Sequence, residues 1–172
     1  MKLVAFNKDQ KFQNPFKNYI KSWKNQPSNP NEDYYKMYSK FLDNYEESID
    51  KNLKLSDNNR LKSNEPFVKF YWLCNSSDII VGTIRYRTNI PPFYGNLGYE
   101  ISPSHRNKGL GKLMLSLLSK ELKLLGIRNI YATVSKDNEF SIKLLKSEGA
   151  IRSGTITSED GKLTLLKFKL EI

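Results

Sequence analysis

The chain contains one cysteine, Cys74, and one histidine, His105, among its 172 residues. A single cysteine excludes an internal disulfide and fits a reducing compartment, so we expect a cytoplasmic protein. One cysteine and one histidine cannot build the usual zinc clusters, so we expect no metal. No run of about 18 apolar residues occurs, which excludes a membrane-spanning helix, and the first residues lack the apolar core of a secretion signal.

Acidic residues are the scarcer charge: 18 Asp and Glu stand against 28 Lys and Arg, a formal net charge of +10. Such a balance raises the question of nucleic-acid binding. The surplus is almost entirely lysine and is spread along the chain, without the blocks of five or six like charges typical of a nucleic-acid tail. We therefore expect no specific nucleic-acid partner.

Residues 1–65 are polar with scattered aromatic residues. Phe16, Tyr19, Ile20 and Trp23 recur with helical spacing and predict one buried helix face. The segment "QPSNPN" interrupts this pattern, and a second helix is predicted over 32–44, with Tyr34, Tyr35, Tyr38, Phe41 and Leu42 on its buried side. The stretch that follows, up to Pro66, has a looser pattern.

The composition changes after Pro66. Runs rich in β-branched and aromatic residues predict three antiparallel strands, and the leucine-rich segment over 107–125 predicts a helix. A strand near 130–134, a short helix closed by Gly149 and a final hairpin around "SEDG" follow. We predict one α/β domain over 1–172, consisting of a helical region (1–65) and a mixed-sheet core (66–172).

The segment "ISPSHRNKGLGK" is the most informative part of the sequence. It follows a strand and opens a helix whose first amides lack carbonyl partners, so it has the partial positive charge of an anion site. Glycines at 109 and 111 permit a tight turn and leave space for a phosphate. An ordinary glycine turn remains the alternative. Neither the Gly-Lys-Ser/Thr of a P-loop nor the third glycine of a dinucleotide fingerprint is present.

The order of motifs resembles the GNAT superfamily of acyl-CoA-dependent N-acyltransferases. Pro103, Arg106, Gly109 and Gly111 match its Pro…Arg/Gln-x-x-Gly-x-Gly/Ala motif, and "NEFSIKLLKSEGA" matches its second motif at Asn138, Ser141, Leu144 and Gly149. The resemblance covers residues 66–172. It implies a central, mostly antiparallel sheet with a parallel, splayed strand pair and helices on both faces.

The resemblance also implies acetyl-CoA as the acyl donor and an N-acetyltransferase activity. The pyrophosphate would be held by the amides of residues 107–112, the pantetheine would pair with the strand before the turn, and the second motif would line the pantetheine or adenosine side. The residues assigned to the donor in this way are Ile101, Ser102, Arg106, Asn107, Lys108, Gly109, Leu110, Gly111, Lys112, Asn138 and Ser141.

Glu100 is the carboxylate on the strand leading to the turn, and it is either the base that deprotonates the amine or an ion-paired strand residue. The family's usual proton donor, a helix tyrosine, is replaced by Leu145. Tyr99, Tyr131, solvent or the substrate could serve instead, and a catalytic role of His105 is less expected than a surface position. Cys74 reads as a strand residue rather than an acyl carrier.

Arg85 and Arg87 alternate with Tyr86, so both lie on one strand face. They would either bind a carboxylate or phosphate of the acceptor or pair with acidic side chains at the surface. The acceptor itself would be a small molecule or peptide with a primary amine, and the protein a monomer or homodimer. The N-terminal helices would form one wall of the acceptor cleft, as in relatives.

Three hypotheses for function follow. The first is an active N-acetyltransferase that uses no enzyme nucleophile. The second is a non-catalytic acyl-CoA-binding or regulatory module, which the replacement at Leu145 favours. The third is a basic nucleic-acid-binding protein that uses the turn as a phosphate clamp.

Overall fold

The structure is a computed structural model, and it describes residues 1–24 and 34–172. Within these ranges the strands are β1 (Lys2–Ala5), β2 (Phe67–Cys74), β3 (Ile80–Thr88), β4 (Leu97–Ile101), β5 (Asn129–Ser135), β6 (Ile151–Thr157) and β7 (Thr164–Glu171). The helices are α1 (Gln13–Lys21), α2 (Tyr34–Asp43), α3 (Tyr45–Leu55), α4 (Asn58–Leu61), α5 (Leu110–Leu124) and α6 (Glu139–Ser147). Short 3₁₀ turns occur at Gln10–Phe12, Pro92–Tyr94 and Pro103–His105.

The strands form two antiparallel sheets, in the orders β1-β2-β3-β4 and β5-β7-β6. The sheets meet where the Asn96 amide donates to the Tyr131 carbonyl (2.6 Å) and the Tyr131 amide donates to Asn96 Oδ1 (2.9 Å). Beyond this point β4 and β5 are not paired. The predicted α/β class, the mostly antiparallel strands and the divergence between β4 and β5 are confirmed.

Helices cover both sides of the strands because the first sheet is apolar on both faces. One core packs α5 and α6 against the sheets and includes Ile84, Met114 and Phe168. The other packs the N-terminal helices against β2 and consists largely of aromatic residues, with Phe16, Phe41 and Trp72 at its centre. In this second core the Phe16 and Phe41 rings meet edge to face, 5.2 Å apart.

The predicted helix faces are largely confirmed. All four periodic aromatic and aliphatic residues of the first helix region are buried, and α2 buries Tyr38 and Phe41. Tyr34 and Tyr35, expected on the buried side, are half-exposed at the start of α2. In α5 the buried side is formed by Met114, Leu115, Leu118 and Leu122, whereas the Leu113 side chain is 38% exposed.

Some elements differ from the sequence prediction. β1 was not expected, and the loosely patterned stretch before Pro66 contains α3 and α4. α5 begins at Leu110 rather than 107, because the residues before it form the 3₁₀ turn and a left-handed turn. The "QPSNPN" break (26–31) and the first two residues of the helix predicted over 32–44 lie outside the described residues. No helix in the described ranges is long and apolar enough to cross a membrane.

Candidate active site

The glycine-containing turn between β4 and α5 has two residues in the left-handed region. Asn107 has φ 59° and Gly109, the N-cap of α5, has φ 71°. Only Gly109 therefore needs the conformational freedom expected of both glycines. No side chain caps the first turn of α5. Its free amides leave an electropositive end, which suits an anion.

Gly111 serves a different purpose from Gly109. It lies in the first turn of α5, and a Cβ at this position would come within 2.9 Å of Leu144 Cδ2 on α6. The two motifs found in the sequence therefore face each other across a narrow gap. The absent side chain at Gly111 keeps that gap open.

A cavity of about 1310 Å³ lies between these motifs. Single ligands usually occupy pockets of about 300–1,000 Å³, so the space is large enough for two reactants. Nine of the residues assigned to the donor lie on its wall: Ile101, Arg106, Asn107, Gly109, Leu110, Gly111, Lys112, Asn138 and Ser141. The structure thus brings together residues that are up to 40 positions apart in the sequence.

Ser102 and Lys108 are the two donor residues that do not line this cavity. The Ser102 amide donates to the Val81 carbonyl (2.9 Å) and its carbonyl accepts from the His105 amide (2.9 Å). Both backbone groups of Ser102 are therefore engaged within the protein. Lys108 Nζ donates to the Ser104 carbonyl (3.1 Å), which holds this ammonium along the turn.

The opposite wall begins at the N-terminus of α6. Asn138 is its N-cap, and the side-chain oxygen accepts from the Ser141 amide (3.1 Å). This contact explains the spacing of the two residues, because an N-cap oxygen reaches the amide three positions later. Asn138 therefore orients α6 and lines the cavity at the same time.

Arg106, the arginine of the first motif, joins the turn to the N-terminal region. Its guanidinium lies 5.2 Å from the centre of the Trp23 ring, and Nε donates to the Ile101 carbonyl (3.3 Å). A guanidinium over an indole face is a favourable cation–π arrangement. Trp23 was assigned to the buried face of the first helix, and it also lines the cavity, beside which the N-terminal helices were expected to form a wall.

Aromatic side chains from the N-terminal region and β4 form one end of the cavity. Trp23, Tyr34, Tyr35 and Tyr99 lie there, and the Trp23 and Tyr34 rings are 4.7 Å apart. His105 also lines the cavity, and its Nδ1 is 2.8 Å from Ser102 Oγ. The sequence led us to expect His105 at the surface, but in the structure this residue is half-buried.

Glu100 lies beside this end in a buried polar cluster and is 4% exposed. Its carboxylate accepts from the Tyr38 hydroxyl, from Thr83 Oγ1 (2.5 Å) and from Arg85 Nη1 (3.0 and 3.1 Å to the two oxygens). Thr83 is directly opposite Glu100 in the β3–β4 pairing. Both of the sequence interpretations stay possible, since Glu100 is ion-paired and also lines the cavity.

The proton positions in the cluster follow from counting hydroxyl protons. Tyr38 and Thr83 each have one, and both are directed at Glu100. Tyr19 must then donate to Thr83 Oγ1 (3.2 Å), while Arg85 Nη1 donates to the Tyr38 oxygen (2.9 Å). The pKa values of Tyr19 and Tyr38 are raised well above that of a free tyrosine, chiefly by burial and secondly by the nearby Glu100 charge. Both phenols therefore stay protonated.

Arg85 reaches Glu100 by crossing β4 over Gly98. A Cβ on Gly98 would lie 2.7 Å from Arg85 Nε, so this glycine leaves the path open. Arg85 is 7% exposed and lines neither described cavity. The sequence left open whether Arg85 binds the acceptor or pairs with an acidic side chain. The structure shows the ion pair, with the buried Glu100 as the partner. This position does not favour direct contact with an acceptor.

Arg87 donates to the carbonyl oxygens of Tyr94 (2.5 Å) and Gly95 (3.1 Å). These bonds hold the loop between β3 and β4 against the sheet. Arg87 also borders a second cavity of about 160 Å³ beside the first. Neither an acidic partner nor an anionic ligand is needed to explain its position.

The position of the family's helix tyrosine holds Leu145, which is fully buried in the core, while Leu144 lines the cavity. Of the two replacement phenols, Tyr99 lines both cavities. Tyr131 lines neither, and the Lys167 ammonium lies 4.7 Å from the centre of its ring. Cys74 is completely buried on β2, away from these walls.

A sequence model described as the acetyltransferase (GNAT) family matches residues 31–149. A curated relative, "Uncharacterized N-acetyltransferase YfmK" of Bacillus subtilis (strain 168), is 33% identical over 70 residues. The matched segment is 41% of this chain and 47% of that protein. The chain therefore spans about half the length of this relative.

Solved structures share the whole architecture. A protein described as a GNAT-family acetyltransferase from Bordetella pertussis superposes with a TM-score of 0.63 at 14% identity, covering 98% of this chain and 95% of that one. RimL, a ribosomal L7/L12 alpha-N-protein acetyltransferase, gives 0.64 at 15% identity, with 99% and 92% covered. A spermidine N-acetyltransferase chimera of Vibrio cholerae SpeG gives 0.60 at 15% identity, with 99% and 96% covered. At these identities the likeness concerns the fold.

Proposed function

Because the chain belongs to the acetyltransferase (GNAT) family, we propose that it transfers an acetyl group directly from acetyl-CoA to a primary amine. The observation that carries this proposal is the large cavity between the two motifs, whose wall includes both the uncapped end of α5 and the aromatic side chains around Trp23. Such a cavity can hold the donor and the acceptor side by side. A direct transfer needs both at once.

The residues of the turn fit a pyrophosphate. The first amides of α5 lack a side-chain cap, and Gly111 leaves space that a Cβ would narrow against Leu144. Arg106 adds positive charge at the same rim, and the Lys112 ammonium also lies there, paired with the Glu148 carboxylate (3.3 Å). We assign the pantetheine to the groove between Ile101 and the α6 terminus, where Asn138 and Ser141 line the opposite wall.

The acceptor would enter at the aromatic end, beside Trp23 and Tyr35. The names of two solved relatives refer to a ribosomal protein and to spermidine, which share an amine but little else. The fold therefore leaves both a small molecule and a peptide as acceptors. We propose a cytoplasmic location because the one cysteine is a free, buried thiol.

Acetyl-CoA supplies an acyl carbon activated as a thioester, and the residues of this chain handle the protons. We assign the amine proton to Glu100, directly or through one water molecule, because its carboxylate lies beside the aromatic end. Arg85 balances the charge of the carboxylate, and the Tyr38 and Thr83 hydroxyls hold it in place. Tyr99 is the phenol best placed to return a proton to the departing sulfur.

A non-catalytic acyl-CoA-binding module is the second candidate. The observation that favours it is Leu145, an aliphatic residue packed in the core where family members have a tyrosine. Such a protein would bind acetyl-CoA through the same turn. It would not turn it over with any amine.

The two candidates are separated by measuring thiol release from acetyl-CoA with a panel of amines, and donor binding by calorimetry. The panel should include a diamine, amino-acid amides, an aminoglycoside and short peptides with free N-termini. Amine-dependent thiol release with micromolar donor binding supports the enzyme. Binding without release by any amine supports the module, and absence of binding contradicts both.

A further inference from the structure

The second cavity, of about 160 Å³, opens beside the main one at the point where β4 and β5 separate. We call it the apex pocket. The strands contribute Leu97, Tyr99, Ala132 and Thr133, and the 3₁₀ turn over Pro92–Tyr94 covers it with Phe93. It shares Tyr34, Tyr99, Ser135, Asn138, Ser141 and Leu163 with the wall of the main cavity. The two spaces are therefore neighbours with a common wall.

The direction of β4 indicates which part of a bound molecule would reach the apex pocket. The glycine turn follows the carboxyl end of β4, and the groove at Ile101 comes next toward its start. A donor that begins at the turn and runs along β4 past Ile101 arrives next at Tyr99, Gly98 and Leu97, which border the apex pocket. On β5 the same path leads from Ser135 to Thr133. The thioester end therefore points at this pocket.

The size and lining of the apex pocket exceed what an acetyl group requires. An apolar cavity of about 150 Å³ holds benzene, so 160 Å³ accommodates about six carbon atoms. Nine of the fifteen residues that line it are apolar or aromatic, among them Phe93, Leu97 and Leu165, and its polar side chains are Arg87, Thr133, Ser135, Asn138 and Ser141. The guanidinium at its edge, Arg87, donates to two backbone carbonyls.

We propose that the apex pocket binds the acyl chain of the donor, so that the protein accepts uncharged acyl groups of four to six carbons in addition to acetyl. This inference rests on the proposed function. The balance of the reaction does not change with chain length: the amine nitrogen bonds to the acyl carbon, the carbon–sulfur bond breaks, the nitrogen loses a proton and the sulfur gains one.

The main test measures donor binding without any amine. Acetyl-, butyryl-, hexanoyl- and decanoyl-CoA are titrated by calorimetry into the full chain. Burial of each methylene should lower the dissociation constant about fourfold up to hexanoyl-CoA, with no further gain for decanoyl-CoA. Succinyl-CoA should bind less tightly than butyryl-CoA because its carboxylate would lose water beside the apolar side chains, while the guanidinium at the edge of the pocket already donates to two backbone carbonyls.

Two variants should shift the chain-length preference in opposite directions. Thr133→Leu narrows the apex pocket and should lower the hexanoyl-to-acetyl affinity ratio at least tenfold. Phe93→Ala enlarges it and should move the optimum to a longer chain. Thr157→Leu makes the same change as Thr133→Leu at an exposed position on β6, outside both cavities, and should leave the ratio unchanged.

These measurements distinguish a failure of the acyl-chain inference from a failure of the proposed function. If no acyl-CoA binds, the proposed function itself fails. If acetyl-CoA binds but affinity does not rise with chain length, or succinyl-CoA binds best, the apex pocket is not an acyl site. If Thr133→Leu raises the acceptor KM equally for every donor, the pocket holds part of the acceptor, and the inference is wrong.

Discussion

Arg85 Nη1 lies 3.0 and 3.1 Å from the two carboxylate oxygens of Glu100, and both side chains are buried. Two charges withdrawn from water in this way depend on each other, because either one alone would be unbalanced in the interior. The pair also connects β3 with β4 next to the proposed reaction site. Substitutions in this ion pair should therefore change both the stability of the fold and the activity, and the two effects have to be measured separately.

Arg85→Met should lower the free energy of unfolding by about 3–5 kcal/mol, because it leaves the Glu100 carboxylate buried without a counter-charge. The double variant Arg85→Met/Glu100→Gln should recover part of this loss, since the uncompensated charge is removed. Chemical denaturation of the wild type, both single variants and the double variant gives the coupling energy. Additive losses would show that the two side chains do not interact as the structure indicates.

Acetyl-CoA binding should depend more on Gly111, which leaves space in the turn, than on Lys108, which only supplies charge. Gly111→Val should weaken acetyl-CoA binding at least about tenfold, on the order of 1.4 kcal/mol, because its side chain would meet Leu144 and narrow the gap between the motifs. Lys108→Ala should have a smaller effect, because the Lys108 ammonium bonds to Ser104 and does not line the cavity. Calorimetry on both variants, with thermal unfolding as a folding check, makes the comparison. Equal affinities for wild type and Gly111→Val would contradict the assignment of the turn.

Much of the fold was predictable because its patterns are local. The stripe of α5, the β6–β7 hairpin and the aromatic face ending at Trp23 all arise from residues a few positions apart. β1 could not be found in this way: it has four residues, and its partner β2 begins more than 60 positions later. The start of α5 was placed too early because left-handed geometry at Asn107 is not encoded by periodicity.

The donor side of the site was also predictable, since both motifs belong to continuous segments. The cluster around Glu100 was not, because its members come from four elements and Tyr38 is 62 positions from its partner. One signal was available: Gly98 on a strand marks a place where another group approaches closely. Here that group is the Arg85 side chain.

Tyr99 and Tyr131 provide a matched pair for locating the proton donor. Tyr99→Phe should lower kcat by roughly 10–100-fold with little change in acetyl-CoA affinity, because the ring stays and only the hydroxyl is lost. Tyr131→Phe should leave kcat unchanged, because Tyr131 lies outside both cavities. Steady-state kinetics with one good acceptor makes the comparison. A Tyr99→Phe enzyme with full activity would transfer this role to solvent or substrate.

Cys74 should be unreactive in the folded protein. Burial, and then the nearby Asp78 charge, raises the pKa of its thiol to about 11, so almost no thiolate exists at pH 8. A disulfide reagent such as Ellman's should label the native protein slowly and the denatured protein fully, and no other cysteine contributes to the signal. Cys74→Ala should retain transferase activity. Loss of activity with retained folding would indicate an acyl-enzyme route instead of direct transfer.

Glu100→Gln tests the assigned base, because glutamine keeps the shape and hydrogen-bonding reach of the side chain but cannot accept the amine proton. If Glu100 is the base, kcat should fall by about 10²–10⁴ while acetyl-CoA affinity stays near that of the wild type. If it only orients the acceptor, KM should rise with a smaller loss of kcat.

The pH dependence of the rate of Glu100→Gln distinguishes loss of the catalytic base from a structural disturbance of the ion pair with Arg85. Raising the pH toward the pKa of the acceptor amine supplies deprotonated amine, so a missing base should matter less and the rate defect should shrink. A defect caused by disturbed packing should stay constant across the same range, provided that the variant remains folded. If Glu100→Gln stays within twofold of wild type at neutral pH with an acceptor of high pKa, Glu100 is not the base. Its carboxylate would then serve the buried pair with Arg85, and solvent would take the proton.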